Sequence, residues 1–372
     1  MSSRAAAVRR QTGSRSANWP TLSTSVYCVD PLTDDRWPEF LQSRSQATVF
    51  HTPGWLEALR RTYGYLPVVF TTTPPEDKLT NGIVCCRVSS WLTGSRLVSV
   101  PFSDHCQPLL DNAENFGVLV QQLRSSLETE SWRYVEFRPL PPYDSHLAEQ
   151  SGFARSEQFY LHKLDLRDSM EKIFGNFHKK STQDKIHRAE REKLNYEEGN
   201  SSTNLAKFYY LQLLTRRRHQ LPPQPLDWFR VLLECMGENA KLRVASKDGQ
   251  PIASTMTLSY KGSVVAKYGC SDSEYHRVGA MPFLLWKAIE EGKRQGAVEY
   301  DFGRSEPENT GLLNFKSNWG ASCSALSYFR CPWPVSDGPR EHWRRNLAKN
   351  ICGRLPNPLL SAAGSFLYKH IG

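Results

Sequence analysis

Apolar and polar positions along the chain fall into an order of elements that occurs twice. In the first half, "PGWLEALRRTY" predicts a helix over 53–63, and its leading proline suits a first helical turn. Apolar runs then predict strands near 66–72, 82–92 and 96–102, a helix near 114–130 and a strand near 132–138. In the second half, helices near 203–218 and 225–236 come first. Strands follow near 240–247, 251–260 and 263–270, then a helix near 281–295 and a strand near 297–303.

Short identities support the repeat. "GSRLVSVPFSDHCQPL" at 94–109 parallels "GSVVAKYGCSDSEYHR" at 262–277, and "RYVEFR" at 133–138 parallels "VEYDFGR" at 298–304. The expectation is an internal duplication of one α+β module of about 150 residues, too long a period for a solenoid. It divides the chain into a basic tail over 1–24, modules over 25–170 and 201–335, a basic connector over 171–200 and a C-terminal segment over 336–372.

The connector contains "GNFHKKSTQDKIHRAEREKLNYEEG" at 175–199, which reads as one polar helix with a thin apolar stripe at Ile186, Ala189 and Leu194. It is either a solvated helix with i,i+4 ion pairs or a basic wall facing phosphates, with Arg188 among its candidate contacts. The segment 340–372 mixes five Arg and Lys residues between Arg340 and Arg354 with Leu359, Leu360, Phe366 and Leu367. A basic amphipathic anchor on anionic lipid and a helix packed back on the domain are the two readings.

Composition narrows the class. The 372 residues, 39% hydrophobic and 11% aromatic, are those of a globular protein of about two domains. No apolar run approaches the roughly 18–20 residues of a membrane span. Residues 1–20 are polar and lack a signal-peptide core; the tail's arginines give it the look of either a transit peptide or a disordered basic extension. Nine cysteines, an odd number without metal-ligand spacing, argue against zinc and against a disulfide framework and suit a reducing cytoplasm. The net charge of +9 favours acidic partners, whether nucleic acid, a phosphorylated substrate or an anionic membrane surface.

Candidate chemistry concentrates in the second half. In "YGCSDSEYHRVGAMPFLLWKAIEEGKRQGAVEYDFGR" (268–304) a strand ends at Tyr268-Gly269, a loop runs through Asp272 and Arg277 to Gly279, and a helix begins at Met281. A helix that starts after a small-residue loop presents free N–H groups to an anion. This strand, Arg-x-Gly-Ala loop, helix and strand resemble the cofactor-binding core of the GNAT acyltransferases. Met281 stands where that family has a small residue, which predicts crowding of a CoA pyrophosphate. Two such modules followed by "GLLNFKSNWGA" resemble the FemAB-like branch, whose Phe-Lys-x-x-aromatic-Gly segment is matched by Phe315, Lys316, Trp319 and Gly320. The likeness covers about residues 45–330.

The resemblance implies two tandem GNAT-like modules with mixed sheets and flanking helices. It also implies transfer of an acyl or aminoacyl group from aminoacyl-tRNA or acyl-CoA to an amine of a cell-envelope precursor. Peptidoglycan or a surface polysaccharide would be the acceptor. The donor would be a co-substrate, with no tightly bound cofactor, and the site cytoplasmic or peripheral at the inner membrane face. tRNA is an expected partner and DNA is not. Lys316 is then the candidate oxyanion or carrier contact, held by aromatic neighbours in a partly dry cleft. The plain alternative is a surface lysine beside a core phenylalanine.

Further candidates are Asp104 and His105, at a strand end of the first module, as a base for the amine, with a turn-capping Asp as the alternative. Phe315, Trp319, Tyr268, Asp272, Arg277 and Gly279 are candidate substrate contacts. Arg304 and Glu306 could hold a carboxylate or phosphate or simply pair with each other. Arg217, in a run of three arginines, could hold phosphate or merely complement a helix dipole. An acetyl-CoA-dependent N-acetyltransferase and a non-catalytic RNA-binding protein are the rival functions.

Overall fold

A computed structural model of the chain describes residues 25–140, 149, 151–332 and 356–371. The N-terminal tail and much of the basic C-terminal segment lie outside the described residues.

Among the described residues, twelve strands form one sheet. They are β1 (Tyr27–Val29), β2 (Leu66–Thr71), β3 (Ile83–Val88), β4 (Arg96–Val98), β5 (Val135–Phe137), β6 (Ala154–Asp165), β7 (Asn195–Glu198), β8 (Ala240–Lys247), β9 (Gln250–Tyr260), β10 (Ser263–Ser271), β11 (Glu299–Ser305) and β12 (Ser322–Cys331). Their order is β1-β2-β3-β4-β5-β12-β6-β11-β10-β9-β8-β7. The two halves therefore mirror each other about the central pair. Among the described strands only β4 with β5 and β10 with β11 run parallel, and the registers Leu97↔Val135 and Val264↔Tyr300 put Phe137 and Phe302 at equivalent places.

The centre differs from the expectation of two sheets. β6 follows β5 in the chain but pairs with β11, while β12 follows β11 but pairs with β5. Each module thus lends its last strand to the other, and the two sheets fuse. Neither strand was expected from the sequence.

The helices are α1 (Arg36–Ser43), α2 (Pro53–Tyr63), α3 (Ala113–Thr129), α4 (Met170–Gly175), α5 (Asp184–Arg191), α6 (Ser202–Arg218), α7 (Leu226–Met236), α8 (Ala280–Arg294), α9 (Thr310–Ser317) and α10 (Asn357–Tyr368). α2 begins where the sequence put it, because Thr52 caps the Trp55 N–H and Pro53 occupies the first turn. Its Trp55 meets Trp228 of α7 edge to face with ring centroids 5.4 Å apart, so the two modules share one core. Burying each indole contributes about 2–3 kcal/mol. α3 packs on β5, and its counterpart α8 packs on β9 and β10 and shares a core cluster with Tyr300 and Phe302 of β11.

The predicted helix over 175–199 is four pieces: the end of α4, a π-turn at Lys179–Gln183, α5, and the edge strand β7. α5 ends at Arg191; Lys193, two residues on, has a φ of 51° in the left-handed region, and the chain then pairs as Asn195↔Ser246 with β8. The thin apolar stripe suffices for α5, since Ile186 and Ala189 are buried against α8.

Candidate active site between the two modules

The site forms where β10 and β11 part. Their pairing ends at Val265↔Asp301, yet β10 runs on to Ser271 and β11 to Ser305. Both strands carry an irregularity there, β10 between Ala266 and Tyr268 and β11 between Asp301 and Arg304. A loop of the first module enters this gap. The expected strand over 96–102 ends at Val98, and the loop beyond turns through Val100 and Phe102, both at positive φ. That is an uncommon conformation for a β-branched residue, and backbone strain of this kind clusters at functional sites.

The loop delivers Asp104 and His105 into a buried cluster of charges. Asp104 accepts from Lys267 Nζ at 3.1 Å. Burial pushes the Asp104 carboxyl up, but Lys267 and Arg304 outweigh it, and its pKa falls below the usual carboxylate value. Burial pulls Lys267 down, against the pull of Asp104. The Asp104 carboxylate lies so close to Gly303 (φ 72°) that a Cβ there would stand 2.8 Å from Oδ2. His105 Nε2 lies 2.9 Å from Asp301 Oδ2, both side chains being buried. A carboxylate only accepts, so the proton sits on Nε2. His105 Nδ1 is buried and has no hydrogen-bond partner among the described residues.

Lys316 is the third part of the cluster. It is buried, and its ammonium donates to the carbonyls of Gly303 at 2.7 Å and Arg304 at 3.0 Å. Burial pulls its pKa down to about 8, opposed by Asp104 and Asp301 and assisted by Lys267 and Arg304. Lys316 is therefore not the surface lysine of the plain alternative, and it lines neither of the two clefts that approach the cluster. Arg304 donates to the Tyr328 hydroxyl at 2.7 Å, and that hydroxyl donates to the Asp104 carbonyl at 2.7 Å. The Arg304 guanidinium also lies over the Phe159 ring, 4.0 Å from its centroid.

Two clefts approach the cluster. One, of about 640 Å³, lies at the start of α8; Lys267, Tyr268, Gly269, Met281 and Phe315 form part of its wall. Lys185, Arg216, Arg218, His219 and His276 add a basic side, and the first N–H groups of α8 have no partner within the helix. The other, of about 840 Å³, runs between the modules past His105, Asp301, Asp165 and Glu299.

The remaining candidates separate. Phe315 and Asp272 line the smaller cleft, although Asp272 also caps the Glu274 N–H. Tyr268 lines it too, with its hydroxyl accepting from Trp228 Nε1 at 2.9 Å. Trp319 is not a contact: it is wholly buried, 4.9 Å from Phe177 and 5.6 Å from Phe302 between ring centroids. Gly279 lies under α5, where a Cβ would stand 2.3 Å from the Lys185 carbonyl. Arg188 donates to the Arg277 carbonyl, and both side chains are exposed away from the cleft wall. Arg216 and Arg218 line the cleft in place of Arg217, and Glu306 is exposed at the turn before α9. Sequence reasoning missed Lys267, Asp301 and Tyr328. A charge inside an apolar strand, as in "VVAKYG" and "EYDFG", was the available signal for the first two.

Residues 177–317 match the model of the acetyltransferase (GNAT) domain. No curated protein sequence matches the chain. Among solved structures, FemX superposes with a TM-score of 0.65 at 12% identity, over 85% of this chain and 98% of its own. L-PGS from Bacillus licheniformis gives 0.54 at 15%, over 86% and 97%. A tandem GNAT protein from the clavulanic acid biosynthesis pathway gives 0.53 at 11%, over 84% and 100%. The chain carries a GNAT domain and is an acyltransferase by class. Its twin-module fold is similar to that of FemX.

Proposed function

We propose that the protein moves an acyl or aminoacyl group from a phosphorylated carrier, aminoacyl-tRNA or acyl-CoA, to an amine of a cell-envelope precursor in the cytoplasm. The observation that carries this reading is the charge cluster lying between two clefts, with Lys267 on one wall and His105–Asp301 on the other. The basic side of the smaller cleft suits carrier phosphates, and its apolar residues Met281, Leu312 and Phe315 suit the acyl group. The larger groove, lined by the pairs Lys163–Glu299, Arg167–Asp165 and His105–Asp301, is left for the acceptor. The envelope acceptor follows from the FemAB-like resemblance.

In the reaction the amine nitrogen attacks the ester or thioester carbonyl and a C–N bond forms. The His105–Asp301 pair on the wall of the larger cleft takes the proton from that nitrogen. The C–O or C–S bond breaks, and the leaving oxygen or sulfur receives the proton. Lys267, supported by Lys316 behind it, supplies positive charge to the developing oxyanion. Incubation with labelled acetyl-CoA or mixed aminoacyl-tRNAs plus envelope precursors tests the reading. Label should enter an amide product; no transfer from any donor would sink it.

An N-acetyltransferase using acetyl-CoA is the second reading, favoured by the Arg277–Ala280 loop at the start of α8. An RNA-binding protein without chemistry would show salt-sensitive RNA binding and no turnover.

A further inference from the structure

The C-terminal helix α10 holds no charged residue along its twelve positions, "NPLLSAAGSFLY". One face is accounted for. Leu360 and Tyr368 are buried against the body, and the Tyr368 carbonyl accepts from the Tyr65 hydroxyl at 2.7 Å. The next turn is pinned as firmly, since the His370 carbonyl accepts from Thr93 Oγ1 and from Arg96 Nη2, both at 2.7 Å. The opposite face is apolar as well, with Leu359 and Phe366 at i and i+7 about half exposed.

That face continues onto the turn between β3 and β4. Trp91 is 80% exposed and its ring lies 6.3 Å from Phe366 and 5.6 Å from His370 between centroids. Leu92 and Ile371 add further exposed apolar surface. Isolated exposed apolar residues are ordinary, but a contiguous patch on a rigidly held helix and turn marks a surface that something covers. A helix apolar on both sides is otherwise a buried one.

We infer that this patch rests on the interfacial layer of a bilayer containing anionic lipid. Two features select that occupant. Tryptophan at an exposed tip beside aliphatic side chains is the composition favoured at a membrane interface. The flanks are basic: Lys369 is exposed beside Ile371, and Arg133, exposed, donates to the Thr93 carbonyl at 3.2 Å. The sequence leading into α10, residues 340–355, holds five Arg and Lys against one acid. A second copy of the chain fits less well, because a two-fold contact would set these like charges against each other. No helix among the described residues is long and apolar enough to cross a membrane, so the contact is peripheral. The inference is independent of which donor the transferase uses.

Sedimentation of the full chain with vesicles tests it, using phosphatidylcholine alone and with phosphatidylglycerol added. Binding should require the anionic lipid and weaken as salt rises. The double variant Trp91→Ser/Phe366→Ser should bind at least about tenfold more weakly while melting as the wild type does, since both side chains are exposed. Equal binding by that variant, or no binding of the wild type to anionic vesicles, would overturn the inference. So would a concentration-dependent dimer in light scattering that the double variant abolishes, which would assign the patch to self-association.

Discussion

Asp104, on a loop of the first module, pairs with Lys267 of β10 in the second at 3.1 Å, with both side chains largely buried. Removing one partner of such a pair strands the other charge, which costs about 3–5 kcal/mol. Asp104→Ala should therefore destabilise the protein by roughly that amount in urea unfolding. Asp104→Ala combined with Lys267→Met should cost clearly less than the sum of the two single changes. Additive losses would show that the two side chains do not depend on each other.

Lys316 holds the strand that Asp104 touches. Lys316→Met leaves the Gly303 and Arg304 carbonyls without their donor, a loss of about 1–3 kcal/mol measured by the same unfolding. If its charge also stabilises the transition state, turnover of the folded variant should drop about 100-fold or more, the scale of losing one oxyanion donor. A rate within a few-fold of wild type, once the folded fraction is matched, would leave Lys316 a purely structural lysine.

The Lys316 pKa gives this residue a pH signature. Its folded value is lowered to about 8 against an ordinary 10.5, so between those values the unfolded chain binds the additional proton. Stability from this group therefore rises with pH across that window, by up to about 3 kcal/mol. Lys267, lowered in the same direction, adds to the rise. Buried cysteines act oppositely: Cys85 and Cys106 are pushed up by burial, so their unfolded thiols ionise first and favour unfolding above about 9. The difference between wild type and Lys316→Met isolates the lysine. Wild type should gain on the variant as pH climbs from 8 to 10.5; a flat difference would contradict the placement of this ammonium.

Much of the fold was legible because the repeated order of elements is local. α2, β8 and the β9–β10 hairpin lie within a residue of where the pattern put them, since caps, turns and alternation act over a few positions. The exchange of β6 and β12 was not legible. "ARSEQFYLHKLD" alternates only in part, and its partners are more than 130 residues away. The site shows the same division. Asp104, His105 and Lys316 were chosen on separate grounds and the fold brings them into one cluster. Within "FKSNWG", however, sequence spacing could not tell which side chains turn inward: Lys316 and Trp319 are buried, while Phe315 faces the cleft.

His105 is the candidate base with a direct test. His105→Gln can still donate an amide N–H to Asp301, so the melting temperature should hold, but it offers no basic nitrogen. Turnover should fall by about 100-fold or more, the lower end of what general base catalysis supplies. An unchanged rate would make the His105–Asp301 pair a strut between modules.

The donor can be decided at the start of α8. Met281 lines the cleft, and its side chain covers Gly269, since a Cβ placed on that glycine would lie 3.6 Å from the Met281 Cε. A thioether there narrows the space beside the helix N-terminus where a pyrophosphate would meet the free N–H groups. Acetyl-CoA should therefore bind weakly or not at all in calorimetric titration. Met281→Ala removes the obstruction from a half-buried position and should cost little stability. If narrowing is what excludes the cofactor, this variant should gain affinity for acetyl-CoA by about tenfold or more. Micromolar binding by the wild type would instead favour the acetyltransferase reading. A variant as indifferent to acetyl-CoA as the wild type would mean that the α5 carbonyl at Lys185, packed on Gly279, is what closes the loop.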